Sequence, residues 1–166
     1  MFKLKPIHKE AIASALEKAV RYRVLNEPME AESICRDVLE IEQNNQEAIA
    51  TLLLALTDQF PRGFGPRVRE AHDLAARLES DYERAYYTGI VWERQAKFQY
   101  QQQAPGRGHA AYQGLRRAME FYEKAEKLRP PENDDALLRW NTCVRFIMAH
   151  PDIVPEPGTA VEHQLE

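Results

Sequence analysis

The chain has 166 residues, a length that suits one domain with one continuous core. Apolar residues make up 44% and charged residues 29%, which excludes the composition of a disordered segment. Lys and Arg total 22 against 26 Asp and Glu, and the formal charge of -4 argues against a dedicated nucleic-acid binder, which needs a basic face to neutralise phosphates.

Seven segments carry helical periodicity. The first runs from about His8 to Leu25, with Ile12, Ala15, Leu16, Ala19 and Val20 at steps of three and four. Pro28 suits the first turn of the second helix, where a missing N–H costs nothing. This helix runs to about Glu42 and stops at Asn44-Asn45. Asn45 caps a third helix, through Leu52 to Phe60. The stretch Pro61-Arg62-Gly63-Phe64-Gly65-Pro66 breaks the chain. A fourth helix starts at Pro66 or Arg67 and ends near Ser80. Asp81 caps a long fifth helix reaching Gln103. Pro105-Gly106-Arg107-Gly108 ends it, and a sixth helix spans about Ala110 to Leu128. Pro130-Pro131 stops that helix. Asn133 or Asp134 caps the seventh, which ends near His150-Pro151.

No segment shows the alternating pattern and turn chemistry of a strand, so the class is all-α. Residues 1–150 read as one helical domain. Residues 151–166 hold acids and prolines with little apolar content and read as a flexible tail. The N-terminus lacks the apolar run of a signal peptide, and the longest apolar run, Leu52 to Leu56, is far too short to cross a bilayer. The expectation is a cytoplasmic protein with no membrane insertion. Cys35 and Cys143 lie in apolar helical patterns and read as reduced core residues, with a long-range disulfide as the alternative.

Internal similarity is the informative feature. In the second, fourth and sixth helices a small residue is followed four later by a second position and three beyond by a third. The sets are Ala31, Cys35 and Val38; Ala71, Ala75 and Leu78; and Ala118, Tyr122 and Ala125. Ala19 and Tyr22 stand twelve and nine residues before Ala31. Gly89 and Trp92 hold the matching places in the fifth helix, and Leu53 and Leu56 in the third. Ala31 to Leu53 and Ala118 to Trp140 both span 22 residues.

These residues resemble the tetratricopeptide repeat, whose second helix carries A-x₃-F followed by a proline. The resemblance covers roughly residues 10–145. It implies a right-handed array of antiparallel helical hairpins, an α-solenoid of about three repeats, closed by the seventh helix as a cap. Longer separations between Ala31 and Ala71 and between Ala71 and Ala118 fit insertions at the two Pro/Gly loops. The resemblance also implies a concave face, lined by the first helix of each pair, that grips a peptide or partner helix. Matching positions put Leu16, Val20, Ala50, Leu54, Tyr86 and Ile90 on it. Arg23, Glu47, Thr57, Glu83 and Arg94 flank them. The other reading of the apolar six is plain core. The Lys/Asn clamp that some relatives use for a C-terminal carboxylate is missing, because Leu16, Val20, Thr51, Glu83 and Tyr87 hold its places.

Among the five histidines, none lies within a helical turn of another His or of Cys, so no metal is expected. The glycine-rich stretch at Pro61–Gly65 lacks the ending of a phosphate loop. No cofactor and no nucleophile–base–orienter set emerge. The expected function is therefore non-enzymatic: a scaffold or adaptor for a protein or peptide, with residues Leu16, Val20, Arg23, Leu54, Tyr86, Ile90 and Arg94 at its binding surface. A small chaperone holding a client, or a helical hydrolase, are the rival readings. Self-association into a homo-oligomer is compatible with the sequence.

Overall fold

The computed structural model describes residues 1–157, and in them there are seven α-helices and no strand. They are α1 (Ile12–Val24), α2 (Pro28–Ile41), α3 (Gln46–Thr57), α4 (Phe64–Ala76), α5 (Asp81–Gln101), α6 (Arg107–Leu128) and α7 (Asp135–Ala149). Single 3₁₀ turns precede α1 and α4, at Lys9–Ala11 and Phe60–Arg62.

Local chemistry sets the boundaries. Asn26 stands in the left-handed region (φ 60), which lets its N–H reach the Arg23 carbonyl and the Glu27 N–H reach the Tyr22 carbonyl. This paired closure ends α1, with Asn in the place glycine usually takes. Pro28 then opens α2. Asn45 caps α3 as its sequence suggests, its Oδ1 accepting the Ala48 N–H at 2.9 Å. Three starts differ from expectation. Helix α4 begins at Phe64, with Pro66 inside its first turn where no N–H is needed. Ser80, not Asp81, caps α5 through its Oγ, leaving Asp81 as the first helical residue and free to pair with Arg84. Helix α6 begins at Arg107, because Gly106 turns the chain at φ 73.

Each helix packs on its chain neighbour, and the odd-numbered helices also pack on one another, α1 on α3, α3 on α5 and α5 on α7. The α5–α6 hairpin has the most extensive interface. Eight of the 12 residues of α3 are buried, as its central place requires. One core cluster joins α1–α4 with Val91. A second joins α5–α7 with Ile153. Leu54 and Tyr87 pack against both and stitch them together.

The repeated positions are interior. Ala31, Ala71 and Ala118 are fully buried, and so are Cys35, Val38, Ala75, Leu78, Tyr122 and Ala125. Gly89 shows why a small residue stands in α5: a Cβ there would meet Tyr122 Cε1 at 2.6 Å. Both cysteines are free and buried, and burial pushes both thiols up to about 12.

Helices α2 and α4 are joined by an ion-pair network. Glu32 pairs with Arg36 and with Arg67 of α4, and Arg36 also reaches Glu70 at 2.8 Å. Burial raises the Glu32 pKa, but hydrogen bonds from Arg36, Gln59 and Arg67 outweigh that and leave it below its ordinary 4.5. A carboxylate depressed in the folded state contributes stability above its unfolded pKa and loses it as pH falls through the folded value. Glu32→Gln is thus expected to be less stable than the parent near neutral pH, with the gap closing as pH drops below 4.5. Urea midpoints across that range test this, and a gap that stays constant with pH contradicts it.

Asp152, Ile153 and Val154, in the segment expected as a tail, pack at the α5–α6 turn. Ile153 is 3% exposed. Tyr100 Oη donates to Asp152 Oδ1 at 2.7 Å, and His109 Nδ1 lies 2.9 Å from the Val154 carbonyl oxygen. Gly108 makes room: a Cβ there would overlap the Asp152 carbonyl oxygen. Residues 158–166 lie outside the described residues. Among the described residues no helix is long and apolar enough to cross a membrane.

Candidate interaction surface

The odd-numbered helices share one face, and most of the candidate residues lie along it. From α1 come Val20, 44% exposed, and half-buried Arg23. From α3 come Leu54 and, at its end, Thr57 and Asp58. From α5 come Tyr86, Tyr87 and Arg94, all partly exposed. Leu16 and Ile90 were expected beside them, but they are 1% and 4% exposed and belong to the core. The reason is the width of the buried stripe. Leu16 is part of the α1–α4 core cluster and Ile90 part of the α5–α7 cluster, so both fall within the interior stripe of their helices.

Asp58 organises the polar part. Arg23 Nε donates to Asp58 Oδ2 at 2.7 Å. Arg94 donates to Asp58 Oδ1 and, at 2.6 Å, to Thr57 Oγ1. One carboxylate therefore ties α1, α3 and α5 together. A recess of about 300 Å³ beside it is lined by Val20, Arg23, Val24, Asn26 and Asp58. Sequence reasoning had the two arginines but not Asp58, which is an ordinary helix-end acid until the fold places it between them.

The aromatic part is a tyrosine cluster. Tyr82 and Tyr86 stack at 5.8 Å, Tyr87 meets Tyr86 edge-on at 5.2 Å, and Tyr122 lies 6.2 Å from Tyr86. Burial pushes the Tyr87 hydroxyl up to about 12 and raises Tyr86, so both stay protonated donors near neutral pH.

Beneath the tyrosines lies Glu93, 1% exposed. Tyr122 Oη donates to its Oε2 at 2.7 Å and Lys97 Nζ to its Oε1 at 2.6 Å. Arg139 Nε of α7 lies 3.1 Å from Oε2 as an ion-pair partner. Three helices converge on this carboxylate. Shielded from water and held by two hydrogen bonds and an ion pair, it is a structural tie rather than an acid or base open to a substrate. Its spacing to Lys97 reads in sequence as a surface pair. Only the approach of Tyr122 and Arg139 from other helices buries it.

Among the described residues no three His, Cys, Asp or Glu converge as a metal site. Comparison with protein-family models, curated proteins and solved structures finds no match.

Proposed function

We propose that this chain is a non-catalytic, cytoplasmic scaffold or adaptor, built as a tetratricopeptide-like array of hairpins, that holds a peptide or partner helix on its odd-helix face. The burial of Ala31, Ala71 and Ala118 supports the repeat reading. Successive odd helices approach one another closely, and α2 and α4 are bridged by ion pairs, which supports the stacking of hairpins side by side. The observation that carries the functional reading is the strip running from Val20 through Leu54 to Tyr86 and Tyr87, with the Arg23–Asp58–Arg94 node on its flank. Apolar and aromatic groups supply affinity when desolvated, and the Arg23–Asp58–Arg94 node offers polar contacts at the edge of the strip.

The test compares partners captured by the parent chain with those captured by Val20→Asp and Tyr86→Ala. Val20 is exposed enough for the substitution to leave the fold intact. A loss of about tenfold or more in affinity for the captured partner, with the helical signal unchanged, is expected. Unchanged binding in both variants removes the odd face from the reading. Capture of many unfolded chains, in place of one folded assembly, favours the client-holding chaperone instead.

A further inference from the structure

The opposite side of the molecule carries a second feature that the odd face does not explain. Helices α4 and α6 both pack on α5 but barely touch each other. Where α2 and α4 are bridged by the Glu32 network, α4 and α6 leave a cleft of about 660 Å³ open between them. Its floor is Ala85 and Thr88 of α5, and its α4 wall is Ala75, Ala76 and the His72 ring. Small side chains there let another backbone come close. The α6 wall is Phe121 and Leu128, the latter 51% exposed.

The charge around this cleft is one-sided. Lys124 and Lys127 line it, and neither has an acidic partner among the described residues. Lys124 lies over the Phe121 ring at 4.9 Å. The one acid in the lining, Asp81, is taken by Arg84, which also caps the Leu78 and Glu79 carbonyls. An apolar trough between two helices, edged by two ammonium groups that have no acidic partner among the described residues, has the shape and charge of a helix-in-groove site.

We propose that the α4–α6 cleft docks an acidic amphipathic helix of a partner protein, its apolar stripe laid over Ala85 and Thr88 and its carboxylates set against Lys124 and Lys127. The occupant fills the place that a direct α4–α6 contact would otherwise take. This surface is separate from the odd face and does not rest on the function proposed for it.

A displayed library of single helices, randomised on one face, is the probe. It is selected on the parent chain and each clone is re-measured on three variants. Enriched clones are expected to carry apolar residues at helical spacing with flanking Asp or Glu. Lys124→Glu/Lys127→Glu, at two exposed positions, should weaken them about tenfold or more and should remove most of their salt dependence. Ala76→Trp, which fills the trough from its rim, should abolish binding, while Val20→Asp on the odd face should leave it unchanged. The proposal is overturned if no helix enriches, if the enriched helices lack acidic residues, or if they bind the charge-reversed and filled variants as they bind the parent.

Discussion

Glu93→Ala is expected to cost about 3–5 kcal/mol of folding stability. The magnitude follows from what is left behind. Lys97 is one-quarter exposed and can turn its ammonium to water. Tyr122 is 1% exposed and cannot, so its hydroxyl loses its acceptor. Arg139 keeps its charge on a side chain only 28% exposed, with its Nε already lacking a well-directed hydrogen bond. An unpaired buried donor and a half-buried unpaired charge add to the cavity left by the missing side chain. Tyr122→Phe separates the contributions, since it removes one donor and leaves the ion pairs in place. Its cost should be smaller, about 1–3 kcal/mol. Urea denaturation of the two variants measures both. Equal losses would mean that the ion pairs with Lys97 and Arg139 contribute nothing, and a Glu93→Ala loss below about 1 kcal/mol, on the scale of a surface pair, would show that Glu93 is solvated in solution.

Gly89→Ala is the second large effect, and its sign is the informative part. In an exposed helix interior this substitution stabilises by about 1 kcal/mol, because alanine is the better helix former. At Gly89 the new methyl would stand 2.6 Å from Tyr122 Cε1 and 2.8 Å from Cδ1. The ring cannot swing away freely, because its hydroxyl is held by Glu93 and its faces are enclosed in the α5–α7 core. Overpacking of this kind costs about 1–3 kcal/mol, enough to reverse the propensity gain. A net loss of stability is therefore expected, with the α5–α6 interface loosened locally. Thermal melts of Gly89→Ala and of Gly89→Ala/Tyr122→Leu provide the check. The smaller side chain in the double variant should recover part of the loss, and a stabilised single variant would mean that the two helices stand further apart.

The helices were legible in the sequence because their causes are local. Ile12, Leu16 and Ala19 recur at helical spacing, Pro28 can only begin a helix, and the Asn45 side chain reaches the Ala48 amide three residues on. The interior places of Ala31, Ala71 and Ala118 were legible for a related reason: a small residue repeated at equivalent positions of every second helix marks where backbones approach. Which side of each helix met water was not. Leu16 and Val20 share a stripe, yet one is core and the other surface, because the packed α1–α4 cluster takes in only the first. Glu93 is one of 26 acids in the chain, and nothing in its neighbours along the sequence announces burial. Its environment is made by Tyr122 and Arg139, 29 and 46 residues away. The same holds for Asp58 between two arginines, for Ile153 under the α5–α6 turn and for the cleft between α4 and α6. Periodicity and capping act within a few residues, so the sequence by itself determined the all-helical class and its small-residue contacts. Burial of charge and the shape of open surface depend on distances between helices, and those were decided only when the helices packed.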